Sequence, residues 1–233
     1  MNFENRHVVV TGGTGALGTA VLSALLDAGA ICHVPHRNAG ALDRFPHREN
    51  ARVVLTTVGD LADEAAVLRY YEGLESLWAS IHIAGVYAGA PIAQSDRNLL
   101  MSQLDSNLVS AYVCSRAAAL TMRRLGAGGR IINVAARQAL EPRLGAGSVA
   151  YTVAKSAVAA LTTALGAELA GDGILVNAVA PSIMDTPGNR AAMPTARFES
   201  WPKVDEVAAA ILFLASPENT VTRGAVVPVY GKA

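Results

Sequence analysis

Charge is scarce in this chain. Of its 233 residues only 16% are Asp, Glu, Lys or Arg, and 19 basic side chains balance 19 acidic ones. With no net charge and no basic cluster, nothing offers a nucleic acid or an anionic membrane surface a place to hold, so neither is expected as a partner. Cysteine is nearly absent too. Cys32 and Cys114 lie far apart without ligand-like neighbours and read as small buried hydrophobes in a reducing compartment. His33, His36 and His47 have neither metal-ligand spacing nor a carboxylate cluster beside them, so no metal site is expected. No apolar run approaches the ~18–20 residues of a membrane span. Residues 1–6 lack the pattern of a secretory signal. These absences point to a soluble cytoplasmic protein. Apolar side chains, by contrast, make up 52% of the sequence, enough for a core on both faces of a sheet.

A β-branched run at 7–10 ends in Thr11-Gly12-Gly13-Thr14-Gly15-Ala16-Leu17-Gly18, and helical spacing follows up to Gly29. A glycine turn between a strand and a helix N-terminus suits a pyrophosphate, because the backbone can approach closely and free amides point at the anion. An ordinary strand–helix turn looks the same. A second strand at 30–34 ends in Pro35-His36-Arg37. An acid at that point would hold adenosine ribose hydroxyls. None is present, and Arg37 offers a guanidinium to a 2′-phosphate, unless it is simply a solvated loop residue. Further strands at 52–58, 77–83, 130–134, 174–179 and 224–229 alternate with helices at 62–71, 96–125, 149–171 and 204–215. Residues 135–147 read as a loop. Residues 181–202, with four prolines, read as a long loop of the kind that covers a binding site. The alternation predicts an α/β fold: a doubly wound parallel sheet in three α/β/α layers, one domain over residues 1–233. Ligands of such sheets bind at the carboxyl ends of the strands, where Thr11 to Gly18, Arg37, Asp60 and Gly85 fall.

Tyr151 and Lys155 are four residues apart at the start of the 149–171 helix and so share one face. A phenol, with an ordinary pKa near ~10, is a poor proton carrier at neutral pH. A neighbouring ammonium lowers that value and makes the tyrosine a usable general acid or base. Two common residues also fall at this spacing by chance, and Asn107 within the 96–125 helix can equally be a satisfied polar group.

Together these segments resemble the short-chain dehydrogenase/reductase family over nearly the whole chain. Thr11-Gly12-x-x-Gly15-x-x-Gly18 is similar to its cofactor turn, and Asp60-Leu61 to the pair beside its adenine ring. Ala84-Gly85 is similar to the end of its Asn-Asn-Ala-Gly segment, and Asn177 to Pro181 with Thr186 to the segment before its lid. The resemblance implies a Rossmann-like NAD(P)-binding domain in which Asn107, Tyr151 and Lys155 are catalytic. It implies a cofactor contacted by Gly12, Thr14, Gly15, Ala16, Leu17, Gly18, Arg37, Asp60, Leu61, Ala84, Gly85, Tyr151, Lys155, Pro181 and Thr186. It further implies a small-molecule substrate, a lid over 181–202, and a homodimer or homotetramer assembled through the helices beginning near Asp96 and Val149. Arg37 favours NADP(H), with NAD(H) as the alternative.

The chain departs from the family's pattern at several positions. His82 and Ile83 replace two asparagines, Ser182 replaces a glycine, and Ala136, three residues after Asn133, stands where the family keeps a catalytic serine. A serine-less site resembles the dihydropteridine reductase branch, as does the lid segment Asp185-Thr186-Pro187-x-Asn189-Arg190-x-x-Met193-Pro194. Losing an oxyanion donor typically costs ~2.7–4 kcal/mol, and a conjugated acceptor that spreads the arriving charge depends on that donor less. The expected reaction is therefore hydride transfer from NADPH to a conjugated imine- or pterin-like acceptor, with Tyr151 as proton donor. Lys155 would hold the nicotinamide ribose and keep the phenol pKa low, and Asn107 would order a water. The alternatives are a carbonyl/alcohol oxidoreductase of the same family, with Arg137, Gln138 or a water in the serine's place, and a non-catalytic NADP(H) sensor.

Overall fold

The computed structural model describes residues 1–233. Strands β1 (His7–Thr11), β2 (Ile31–His36), β3 (Val53–Thr57), β4 (Ala79–His82), β5 (Gly129–Val134), β6 (Ile174–Pro181) and β7 (Val226–Val229) form one sheet. Its order is β3-β2-β1-β4-β5-β6-β7, and every pairing is parallel. All residues of β4, β5 and β6 are buried, which a parallel sheet covered on both faces requires and which their near-continuous apolar sequences supply. Alternation along β1 assigns the two faces. Val8 and Val10 pack with helices α1 (Ala16–Asp27) and α8 (Val204–Ala215). Val9 faces α2 (Glu64–Glu72) and α4 (Ser110–Leu125). The chain runs outward from β1 to β3 and then returns to lay β4 on the other side of β1, pairing Thr11 with His82. That reversal opens a crevice at the carboxyl ends of β1 and β4.

Glycine makes the crevice floor possible. Gly12 has φ +67°, and a Cβ there would lie 2.7 Å from the Ala84 amide nitrogen. A Cβ on Gly18 would strike the Gly12 carbonyl oxygen. The turn after β1, the first turn of α1 and the segment after β4 are therefore packed backbone against backbone.

Three segments differ from the sequence expectations. Residues 96–125 are not one α-helix: α3 (Arg97–Gln103) and α4 are joined by a π turn, Leu104–Val109, which carries Asn107. The Asn107 side-chain amide donates to the Gln103 carbonyl at 3.0 Å and the Val86 carbonyl at 2.9 Å, so it takes a place in the helical ladder and widens the turn. Residues 135–147 contain a short helix α5 (Arg137–Leu140) and a 3-10 turn, Pro142–Gly145, both too short to show a period. The segment after β6 holds helix α7 (Pro187–Ala192), with Pro187 in its first turn and the Thr186 hydroxyl accepting from the Asn189 amide.

A fourth expectation also needs correction. Helix α6 (Val149–Glu168), 20 residues with mean hydropathy 1.2, is long and apolar enough by length and composition to cross a membrane. In the fold it packs on β6, α5 and the Asn107 turn, and its buried polar residues Lys155 and Thr162 bond β5. Those contacts account for its apolar composition.

Candidate active site

Every residue that the resemblance assigns to catalysis or to the cofactor lines one cavity of about 760 Å³ at the strand ends. The glycine turn forms one wall. Helix α1 begins there with Gly15 at its N-cap, no side-chain cap and no acid in its first turn, so its leading amides and positive dipole end face the cavity unshielded. Arg37, exposed just after β2, and Asp60 with Leu61, just after β3, mark the far end. The Asp60 carboxylate is held by the Ala62 amide at 3.0 Å.

At the near end the side chains converge. Lys155 is buried, and its Nζ donates to the Val134 carbonyl at 2.8 Å. Asn107 is buried with its amide nitrogen doubly used and its Oδ1 without a partner. Both groups meet over Gly85: a Cβ there would lie 2.5 Å from Asn107 Oδ1 and 3.5 Å from Lys155 Nζ. Tyr151 sits one turn before Lys155, with Lys155 Nζ 5.9 Å from its ring centroid. The edge of Tyr87 closes on the Tyr151 ring, with centroids 5.0 Å apart and planes at 76°.

The electrostatics overturn one expectation. Burial, and secondarily Tyr87, push the Tyr151 phenol up to about 12 rather than down. Burial also brings Lys155 down to about 8. The ammonium is aimed at the Val134 carbonyl, and desolvating the phenolate costs more than a cation 5.9 Å from the ring centre returns. Lowering the phenol requires additional positive charge at this end of the cavity.

These features fit a dinucleotide. The turn has the close backbone approach and free amides that a pyrophosphate needs. Arg37 is the one lysine or arginine at the far end of the cavity, and Asn107 Oδ1 is a buried acceptor awaiting a donor. The Thr186 hydroxyl, although it accepts from Asn189, still has its proton to give.

The segment expected as a lid, at the near end, is held by its own bonds. Asp185 grips Arg190 through two bonds of 2.6 and 2.8 Å, and its amide donates to the Pro202 carbonyl at 2.9 Å. Ser182, in the glycine's place, donates its hydroxyl to the Tyr230 carbonyl at 2.9 Å and so ties the lid's root to the chain after β7. Asn189 bonds the Met184 carbonyl at 2.8 Å, which leaves Ile183, Met184 and Met193 as the lid's contribution to the cavity wall. These three fall within the 181–202 segment expected to line the pocket, whereas sequence reasoning missed Val86 and Tyr87. The nearest signal was Tyr87 itself, an aromatic two residues beyond Gly85 at a strand end. His82, one of the two residues replacing asparagines, lies outside the cavity, buried at the end of β4. Its partner Ile83 lines the cavity.

Comparison with known proteins agrees with this geometry. The short chain dehydrogenase family model matches residues 6–196. The chain belongs to the short-chain dehydrogenase family. It is 33% identical over 248 residues to a galactitol 2-dehydrogenase of Rhizobium johnstonii, covering 97% of this chain and 94% of that protein. It is 30% identical to a cis-4-hydroxycyclohexanecarboxylate dehydrogenase of Sinomonas cyclohexanicum, covering 98% and 96%. Among solved structures, a gluconate 5-dehydrogenase from Burkholderia cenocepacia in complex with NADP and tartrate superposes with a TM-score of 0.88 at 26% identity, over 99% of this chain and 95% of that one. As a member of this family the chain is an oxidoreductase.

Proposed function

We propose that the protein interconverts a secondary alcohol and its ketone with NADP(H), using Tyr151 as the proton carrier. The observation that carries the reading is the convergence of Tyr151, Lys155 and the unpartnered Asn107 Oδ1 at one end of a cavity whose other end offers a phosphate cradle and Arg37. When bound, NADP+ supplies the hydride acceptor and a cationic ring. In the oxidation the carbinol carbon gives up hydride and the hydroxyl proton passes to the Tyr151 phenolate. In the reduction the Tyr151 phenol returns that proton to the carbonyl oxygen. Lys155, still protonated below about pH 8, would hold the nicotinamide ribose and add its charge to that of the bound cationic ring, the two together lowering the phenol. Asn107 Oδ1, left without a partner, would accept from a water that carries protons onward from Lys155. Residues 181–202 form the substrate lid of this single NAD(P)-binding domain.

The relatives' names, galactitol, gluconate and hydroxycyclohexanecarboxylate dehydrogenases, favour an alcohol over the pterin-like acceptor inferred from the sequence. NADP in the gluconate 5-dehydrogenase complex and Arg37 in this chain support the phosphorylated cofactor. The exposed apolar residues Tyr112 and Leu120 on α4, and Val149 and Val153 on α6, support assembly into a dimer or tetramer through those helices. Buried free Cys32 and Cys114 are compatible with a reducing, cytoplasmic setting.

The test follows NADP+ reduction with galactitol, gluconate, cis-4-hydroxycyclohexanecarboxylate and 1-phenylethanol, and NADPH oxidation with quinonoid dihydropterin. Turnover of at least one alcohol is expected, falling roughly 10²–10⁴-fold in Tyr151→Phe. Undiminished turnover in that variant sinks the reading. Because the serine position holds Ala136, a pterin-like acceptor remains the second reading, and faster turnover of the dihydropterin than of any alcohol would establish it instead. Bound NADPH with no turnover of anything would leave a sensor.

A further inference from the structure

A carbonyl oxygen becoming an alkoxide has more than one lone pair to satisfy, and Tyr151 supplies a single hydrogen-bond donor. The cavity has few others to give. The spare hydrogens of Lys155 Nζ and of the Thr186 hydroxyl are assigned above to the cofactor, and the hydroxyls of Ser110 and Ser182 donate to the Ser106 and Tyr230 carbonyls. Of the three side-chain amides lining the cavity, Asn107 donates to the Val86 and Gln103 carbonyls and Asn189 to the Met184 carbonyl. The third, Gln138, is half-buried, lines the cavity and has no such commitment.

We infer that Gln138 is a catalytic residue that donates its side-chain amide hydrogen to the substrate oxygen opposite Tyr151. This inference rests on the carbonyl/alcohol reading above. The local fold sets the direction of the side chain. Ala136 is the N-cap of α5, and the two residues after it diverge by about 100° around the helix axis. Arg137 is turned outward: its guanidinium bonds Glu141 at 3.1 and 3.3 Å and lies 4.6 Å from the centroid of the Tyr230 ring. With Arg137 anchored there, its neighbour Gln138 faces the cavity. Helix α5 packs against α6, which brings this turn alongside the segment that carries Tyr151. Ala136, buried without a polar atom, offers no competing donor. The first turn of α5 thus holds an uncommitted donor two residues beyond the alanine, on a helix fixed from its outer side by Arg137.

The experiment takes the alcohol of the panel above that the wild type oxidises fastest and measures kcat, KM and NADPH affinity for Gln138→Ala, Gln138→Glu and Gln138→Ala combined with Ala136→Ser. Loss of one oxyanion donor predicts a kcat roughly 10²–10³-fold lower in Gln138→Ala, with NADPH affinity unchanged. Gln138→Glu, a near-isostere that sets a carboxylate against the developing negative charge, should fall further at pH 8 and climb toward the Gln138→Ala value as the pH is lowered. Adding Ala136→Ser should restore at least part of the loss by supplying a hydroxyl from the same turn. Wild-type kcat in Gln138→Ala while Tyr151→Phe is inactive overturns the assignment alone. Loss of NADPH affinity in parallel with kcat also overturns it, since it would make Gln138 a structural residue. Absence of turnover with every alcohol in the wild type overturns both the assignment and the reading it rests on.

Discussion

Two groups of polar side chains are buried near one another along β4, β5 and α6, and only one of them is closed. In the closed group Tyr71 donates to Ser80 Oγ at 2.7 Å and Ser80 donates to His82 Nε2 at 2.8 Å. His82 Nδ1 donates to Asn133 Oδ1 at 2.9 Å. Asn133 donates to Thr162 at 3.0 Å, and Thr162 to the Val158 carbonyl at 2.8 Å. Ser80 and Thr162 each give one hydrogen and take one, and the Asn133 amide donating to Thr162 turns its oxygen to His82, which fixes the proton of His82 on Nδ1. In the open group Asn107 Oδ1 has no partner, Lys155 makes a single bond, and the Tyr151 hydroxyl bonds nothing in the protein. A fully satisfied buried network holds the sheet and the helix together. An incompletely satisfied one at a cavity wall is where a ligand can complete the set. Two families of variants can break this contrast in opposite directions.

The largest effect is expected at the open group. Lys155→Met should lower kcat by about 10³-fold, near 4 kcal/mol of transition-state stabilisation, and yet leave the fold no less stable. The sign follows from burial, which depresses the Lys155 pKa from 10.5 to about 8. Below about pH 8 the lysine is charged in both the folded and unfolded states, and the folded state bears the whole desolvation penalty. Between about 8 and 10.5 the unfolded chain binds more protons, so wild-type stability rises with pH through that window. The penalty is on the order of 3 kcal/mol, and the unpaired Val134 carbonyl left by methionine offsets ~1–3 kcal/mol of any gain. Thermal unfolding at pH 7 and pH 9.5 checks this. The wild type should gain stability on the alkaline side relative to the variant, and a variant markedly less stable at pH 7 would show that the ammonium stabilises the fold.

At the closed group the effects exchange places. His82→Leu leaves the Ser80 hydroxyl without its acceptor and the Asn133 oxygen with only the longer bond from the Ser115 hydroxyl at 3.4 Å; a buried group left unsatisfied costs ~1–3 kcal/mol, so a loss of about that size is expected in denaturant titration. Turnover per folded molecule should stay within a few-fold, because His82 does not line the cavity. Acid sharpens the point. Burial holds His82 down to about 4 against an ordinary 6.5, and burial together with His7 does the same to His33. The unfolded chain therefore takes up protons first, and stability present above pH 6.5 is lost as the pH falls toward 4. In His82→Leu the slope of stability against pH in that window should be smaller by about one proton, with the His33 part remaining. A slope unchanged from wild type would mean that His82 is already protonated in the fold.

The sequence made the strands, the nucleotide turn and the Tyr151–Lys155 helix legible because each rests on a local pattern: apolar runs, glycines before a helix, a four-residue spacing. Helix α8 is found over the residues its periodicity indicates, 204–215. What stayed hidden depended on contacts far apart in sequence. The π turn at Asn107 exists because its side chain finds Val86, 21 residues earlier. The orientation of Gln138 depends on Arg137 meeting Tyr230, near the end of the chain. The upward push on the Tyr151 phenol comes from burial and from Tyr87, neither of which an i, i+4 spacing contains. Residues 181–202 read as loop from their four prolines, whereas Pro187 with Thr186 marks a helix start.

The smallest effect is expected at the far end of the cavity, and it tests whether exposure decides how much a polar contact is worth. Arg37 is exposed, unlike Lys155, and no carboxylate follows β2 to receive a ribose in its place. A guanidinium bond to the 2′-phosphate of NADPH is charge-assisted and typically worth ~1.5–3 kcal/mol, with the exposed setting favouring the lower figure. Arg37→Ala should therefore weaken NADPH binding about tenfold and leave NADH binding unchanged, as measured by titration of cofactor fluorescence. Because the site is open to solvent, the preference for NADPH over NADH in the wild type should shrink as salt is raised, whereas the Lys155→Met effect, deep in the fold, should not respond to salt. Equal affinities of the wild type for NADH and NADPH at low salt would remove Arg37 from the cofactor site and leave the preference for the phosphorylated cofactor without a residue to carry it.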